Sequence, residues 1–324
     1  MASKMRALFL PGTLLFAWAA LLGCSQHAPS ASTATPSVTL PAEVPTAIES
    51  ATAVPSATAS ATTAPPPDAG PSPCPDGMAL VQRFCIDRYE AELVAPDPDG
   101  GFLTLPHNRR PPADLRFEAR SLPDVMPQGY INRVEAAAAC KNAGKRLCSM
   151  HEWRRACEGR RGQHWPYGAK AVAGKCNHTK AHLLSIRYGS DPRRWKYEEQ
   201  FNDPALDVEP GFLAKTGEYA GCTTAEDVHD LVGNLHEWVS DSVDAELVEK
   251  MDAEELDRHP QPWKEGNGVF MGGFFSTADQ HGPGCTFTTI AHEPRYHDYS
   301  IGFRCCAGAE LSPVPRKGSK GAPG

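Results

Sequence analysis

Ten cysteines, Cys74, Cys85, Cys140, Cys148, Cys157, Cys176, Cys222, Cys285, Cys305 and Cys306, follow a single earlier one, Cys24. An even set in a chain that carries an export signal reads as a disulfide framework. Zinc is the competing use of so many thiols, but the chain has no Cys-x2-Cys pair and no zinc-finger histidine spacing. Ten thiols allow about 945 full pairings, so spacing alone does not choose among them. Each bridge contributes roughly 2–4 kcal/mol by restricting the unfolded chain. Long irregular stretches can be held in place that way.

The export signal is the stretch MASKMRALFLPGTLLFAWAALLGC, in which Lys4 and Arg6 precede an apolar run from Ala7 to Leu22. It is too short and wrongly flanked for a stable membrane span, which makes residues 1–23 a signal peptide. The run stops at Leu21-Leu22-Gly23-Cys24, the pattern of a bacterial lipobox, so Cys24 is expected to be lipidated. Ser25 at the next position suits a lipoprotein of the outer membrane, in the cell envelope. An anchor of more than one acyl chain holds stably. Residues 24–73 are then almost wholly Ala, Thr, Pro and Ser, with nothing to bury, and read as a disordered, proline-extended tether. The remaining unit, 74–309, is long enough for one domain, and 310–324 reads as a loose tail. The net charge of −7 and the lack of a basic block argue against nucleic acid as a partner.

Within the domain, alternation from Met78 to Ile86 predicts strands, whereas the Pro-, Gly- and Arg-rich stretch Pro96 to Pro127 reads as surface loop. Asn132 with Glu135 caps a helix that runs through an Ala-rich segment to Gly144. Ser149 with Glu152 forms a capping box that opens a second helix through Trp153 to Cys157. Beyond Gly159 few regular periods remain. The stretches HWPYGAKAVAGKCNHTK and RYGSDPRRWKYEEQFNDPALDVEPG read as long irregular loops, of the kind held by bridges, ions or function. VFMGGFF and SIGFRCC read as short core strands. The fold class is α+β and rich in coil.

Several short blocks then occur in order: GKRLCSMHEWRRACEG (144–159), WPYG (165–168), DLVGNLHEWVSD (230–241), the Gly272-Gly273 pair and GFRCC (302–306). Together they resemble the formylglycine-generating enzyme, or sulfatase-modifying factor, family. The resemblance implies a disulfide-stabilised C-type-lectin-like fold. It pairs Cys140 with Cys305 and Cys157 with Cys285. Proximity and elimination then leave Cys74 with Cys85, Cys176 with Cys222 and Cys148 with Cys306.

Oxidising members of that family use two cysteines, four residues apart in the loop after the glycine pair, to bind copper(I). Soft thiolates suit copper(I). Here the first of those positions falls on Thr277 and the second in the region Gln280 to Gly282, and neither is cysteine. The family serine after the glycine pair is Phe274, and the tryptophan before the glutamate of DLVGNLHEW is His236. Copper is therefore not expected, and the pocket candidates are Thr277, His236 and Phe274. The resemblance also implies structural calcium, held by the side chains of Asp230 and Glu237 and the carbonyls of Gly233 and Leu235. Asn177 stands at a second such position. Oxygen-rich turns suit calcium, which takes roughly six to eight oxygens.

Two other constellations stand out. His229, His236, His281, His292 and His297 fall late in the chain, where a transition-metal site competes with isolated surface histidines. Ser276, Thr277, Asp279 and His281 hold the ingredients of a hydrolytic site, although triad members are normally assembled by the fold rather than by adjacency. The resulting expectation is a lipid-anchored binding or accessory module for a peptide, glycan or cell-surface partner, without copper-dependent oxidase activity. The competing expectation is a formylglycine-generating oxidase or related oxidoreductase acting on a protein cysteine.

Overall fold

The structure is a computed structural model that describes residues 72–253 and 261–310. The signal segment 1–23, Cys24, the tether up to residue 71 and the tail from 311 lie outside the described residues. The described unit closes on itself: the Glu310 N–H donates to the Pro73 carbonyl at 2.8 Å, so the domain begins and ends at one point.

The first sheet has the order β1-β2-β11-β6, from Met78–Val81 (β1), Phe84–Asp87 (β2), Arg146–Leu147 (β6) and Cys305–Gly308 (β11). The second has the order β10-β7-β8-β9. It comprises His236–Ser242 (β7), Gly268–Met271 (β8), Thr288–Thr289 (β9) and Ile301–Phe303 (β10), with β10 parallel to β7. A third, small sheet sets Glu92–Pro96 (β3) between Phe102–Thr104 (β4) and Glu118–Arg120 (β5). Both β4 and β5 lie in the stretch from Pro96 to Pro127 that composition marks as loop. They are three residues long and β4 is wholly exposed, so no apolar alternation marks it.

Helices α1 (Arg133–Asn142) and α2 (Met150–Glu158) both start in full capping boxes. Asn132 and Ser149 accept from the N–H groups of Glu135 and Glu152, whose carboxylates return the bond. Arg146 grips Glu152 with two nitrogens, and the Asp241 carboxylate takes the Met150 N–H at 2.7 Å. The stretch from Arg187 to Gly211 is less irregular than its composition suggests. It is preceded and entered by α3 (Leu183–Tyr188), followed by a 3-10 turn at Pro192–Arg194 and a π-helical turn at Tyr197–Phe201. Helix α4 (Ala245–Ala253) follows β7.

Two tryptophans organise the interior. Trp153 of α2 is fully buried against one sheet-lined core, and Trp238 of β7 fills a second, donating its ring N–H to the Ile131 carbonyl at 2.9 Å. The glycine pair after β8 is needed for close packing. A Cβ on Gly272 would meet the Leu231 carbonyl at 2.5 Å, and one on Gly273 the Thr277 carbonyl at 2.3 Å. Both residues also hold positive φ, which other residues reach only with strain. Five bridges tie the coil together: Cys74–Cys85, Cys140–Cys305, Cys148–Cys306, Cys157–Cys285 and Cys176–Cys222.

Candidate functional site

The loop after Gly273 folds back at once. Phe274 and Thr277 exchange backbone hydrogen bonds of 2.8 and 3.1 Å, and the Phe275 N–H donates to the Asn234 carbonyl at 3.0 Å. This mini-hairpin forms one wall of a cavity of about 410 Å³, and His236 and Thr277 both line it. Cys285 does not. It is fully buried and bridged to Cys157, with its N–H on the His164 carbonyl.

His236 opens β7 opposite Ile301, and its ring is packed by Phe270, Phe274 and Phe287 at centroid distances of 4.9, 5.0 and 5.3 Å. Burial, with His292 and His281 nearby, pushes its imidazole well below the usual range, and its Nδ1 has no hydrogen-bond partner. His292 stacks on Tyr296 at 3.8 Å, and burial lowers it to about 4. His182, stacked on Trp195, is lowered by burial as well. The imidazoles of His182, His236 and His292 are therefore neutral at pH 7. The two other charged groups on the wall are already engaged. Lys180 donates to the Phe212 carbonyl at 2.7 Å, and the Asp298 carboxylate accepts from Tyr296 Oη and from the Ser300 hydroxyl and N–H. The cavity is aromatic, its ammonium and carboxylate are tied up in hydrogen bonds, and its imidazoles can donate and accept hydrogen bonds.

His292 makes this testable through pH. The unfolded chain protonates this imidazole near pH 6.5 and the folded chain only near 4. The stability it contributes is therefore present above 6.5 and lost as pH falls toward 4. Against His292→Gln, the wild type is expected to lose on the order of 2–3 kcal/mol between pH 7 and pH 4. Urea unfolding of both chains at the two pH values measures it. Comparing the pair cancels the opposite contribution of Asp230, raised to about 6 mainly by burial, whose stabilisation is lost as pH rises through that value.

The five late histidines do not converge. His236, His281 and His292 line the cavity, whereas His229 stacks on Tyr89 and bonds Asp227, and His297 bonds Asn202. Among the described residues no group of three His, Cys, Asp or Glu is placed to hold a metal. The Ser276, Thr277, Asp279 and His281 quartet is not assembled for hydrolysis either. The Ser276 hydroxyl donates to the Ala181 carbonyl, and Thr277 reaches Asp279 at 3.5 Å.

The calcium candidates lie in a buried charged group on the other side of β7. Asp230, Gly233 and Asn234 all take positive φ, so the chain turns sharply there. Asp230 accepts the Gly217 N–H at 2.6 Å, and Glu90 takes the Asn234 amide and the Leu235 N–H. Both oxygens of Glu237 are committed, to Arg304 at 2.7 Å and to the Trp153 ring N–H at 2.8 Å. Three buried carboxylates thus face one guanidinium, and burial raises Glu90 well above and Asp230 above the carboxylate range. An excess of buried oxygen charge suits a hard divalent cation, and the carboxylates left for one are those of Asp230 and Glu90. Asn177 donates its amide to the Phe212 carbonyl and to Asn234, while its own Oδ1 is buried without a partner. The Lys180 ammonium shares that Phe212 carbonyl.

Sequence reasoning passed over Glu90, Asp207, Asp298 and the role of Arg304. The one available signal was polarity inside apolar blocks, as in GFRCC.

Small sheets, two short capped helices and coil stapled by bridges define the C-type-lectin-like class of domain. The chain belongs to a family within that class: residues 94–309 match the sulfatase-modifying factor enzyme 1-like domain. Among solved structures, a Major Tropism Determinant I1 variant is 12% identical, with a TM-score of 0.39 over 74% of this chain and 55% of that one. The chain thus spans about half the length of that protein. Treponema denticola variable protein 1 is 14% identical, with a TM-score of 0.36 over 71% of this chain and 98% of that one. CarF is 13% identical, with a TM-score of 0.34 over 56% and 67%. No curated protein matches the chain by sequence.

Proposed function

We propose that the chain is an outer-membrane lipoprotein that presents its sulfatase-modifying-factor-like domain on a tether, and that the domain binds rather than oxidises. The observation that carries this reading is the state of sulfur around the cavity. Position 277 is threonine, Cys285 is bridged to Cys157, and every cysteine from Cys74 to Cys306 is in a disulfide. No thiolate pair is left there for copper(I). The anchor is the lipidated Cys24, and calcium at Asp230, Gly233 and Leu235 is a structural ion supported by the carboxylate excess. Arg304 holds Glu237 aside.

The ligand is a neutral glycan. The rings of Phe274 and Phe287 suit the C–H faces of a sugar, and each neutral imidazole offers one donor and one acceptor to hydroxyls. A peptide oxidation assay tests the first half. With copper, oxygen and a Cys-x-Pro-x-Arg peptide, no aldehyde above the no-protein background is expected, and turnover would refute the reading. Calorimetry with neutral oligosaccharides tests the second half. Binding should weaken at least tenfold in Phe274→Ala, whereas peptides that bind in place of sugars would reverse the ligand assignment.

A further inference from the structure

Asp207 is 2% exposed, and neither of its carboxylate oxygens has a hydrogen-bond partner. Three other buried carboxylates are matched: Asp87 by Lys145 at 2.7 Å, Glu237 by Arg304, and Asp298 by Tyr296 and Ser300. Gln128 holds a second orphan. Gln128, 1% exposed, directs its amide N–H groups at the carbonyls of His107, Arg109 and Gly129, which leaves its Oε1 buried without a donor.

Each of the two side chains touches Gly129: the Gln128 amide donates to its carbonyl at 2.7 Å, and Asp207 lies against its Cα. A Cβ at that position would lie 2.3 Å from Asp207 Oδ2 and 3.4 Å from the Tyr299 carbonyl oxygen, so the carboxylate fills the space a side chain would need. The same residues are bound together at the backbone. The Gly129 N–H donates to the His107 carbonyl at 3.0 Å, and the His107 ring lies 3.3 Å from the Asp207 carbonyl. Among the described residues no cation pairs with Asp207. Burial and the nearby Asp298 charge both push its pKa upward.

We propose that Asp207, Gln128 Oε1 and the carbonyls beside Gly129 hold a hard divalent cation of the calcium class. Every unsatisfied atom is an oxygen acceptor, and no nitrogen or sulfur ligand is offered, which excludes the softer transition metals by preference. Asp298 supplies a second negative charge behind the first. The ion joins the segment leading into α1 to the loop at 203–207 and to Tyr299, which lines the aromatic cavity. This site shares no residue with the Asp230 turn and does not depend on the binding function proposed above.

The full chain, stripped with EGTA, is titrated calorimetrically with CaCl2 and in parallel with TbCl3, whose luminescence the adjacent tyrosines sensitise. Asp207→Asn should weaken one binding step at least tenfold, whereas Asp230→Asn should leave that step intact. Unchanged binding in Asp207→Asn overturns the proposal, as does a wild-type chain that takes up no ion. A terbium-soaked crystal of the unmutated chain decides without any variant. Anomalous density at coordination distance (about 2.3–2.6 Å) from the Asp207 carboxylate supports the site, and density elsewhere alone overturns it.

Discussion

Arg304→Met is expected to cost about 3–5 kcal/mol of folding stability, because it breaks a buried ion pair and leaves a charge without its partner. Arg304 is 1% exposed, and its guanidinium makes five hydrogen bonds. It donates to both oxygens of Glu237 and to the carbonyls of Asp87, Arg88 and His229. Without it, Glu237 faces Glu90 and Asp230 with only the Trp153 ring N–H to hold it. The double variant Arg304→Met with Glu237→Gln should recover a large part of the loss, since the uncompensated carboxylate is then gone. Urea unfolding with the bridges intact measures both variants. A single variant within about 1 kcal/mol of wild type would show that the pair is not buried as described.

Removing the Cys140–Cys305 bridge by double alanine substitution is the second large effect. In the chain-entropy view the cost rises with the loop closed, but the intact Cys148–Cys306 bridge already ties the neighbours of Cys140 and Cys305 together, so the separation of 165 residues shrinks to a loop of about ten, close to the 11 of Cys74–Cys85. The expected entropic loss is roughly 3 kcal/mol for each bridge. The ordering is the decisive result. The Cys140–Cys305 variant should still unfold at the lower urea concentration because native packing is lost with it, and equal midpoints would mean that unfolded-chain freedom alone sets the contribution. The Cys140 bridge also joins α1 to β11, so its loss should expose the packing of Ala136 and Ala139 against Phe303 as well.

The helices were legible because their signals are local. A cap residue and a glutamate three positions on satisfy N–H groups within one turn, and α1 and α2 begin where those pairs stand. The strands β4 and β5 were not legible. Their pairing with β3 is made by the backbone, and two three-residue segments carry no apolar period. The π-helical turn at Tyr197–Phe201 was hidden for a similar reason, since it is held by partners such as Asn202, His297 and Tyr299 from far along the chain or outside the turn.

The candidate site divides in the same way. Position 277 carries a hydroxyl and position 236 an imidazole, and both facts follow from residue identity alone, as do the ten cysteines from Cys74 onward and the family to which the blocks belong. Only the tertiary structure decided that His236, His281 and His292 share one cavity while His229 and His297 do not. It alone left Asp207 without a donor and gave Glu237 to Arg304. Residue identity sets which bonds a side chain can make. Burial and neighbours distant in sequence set which bonds it does make, and with them its charge.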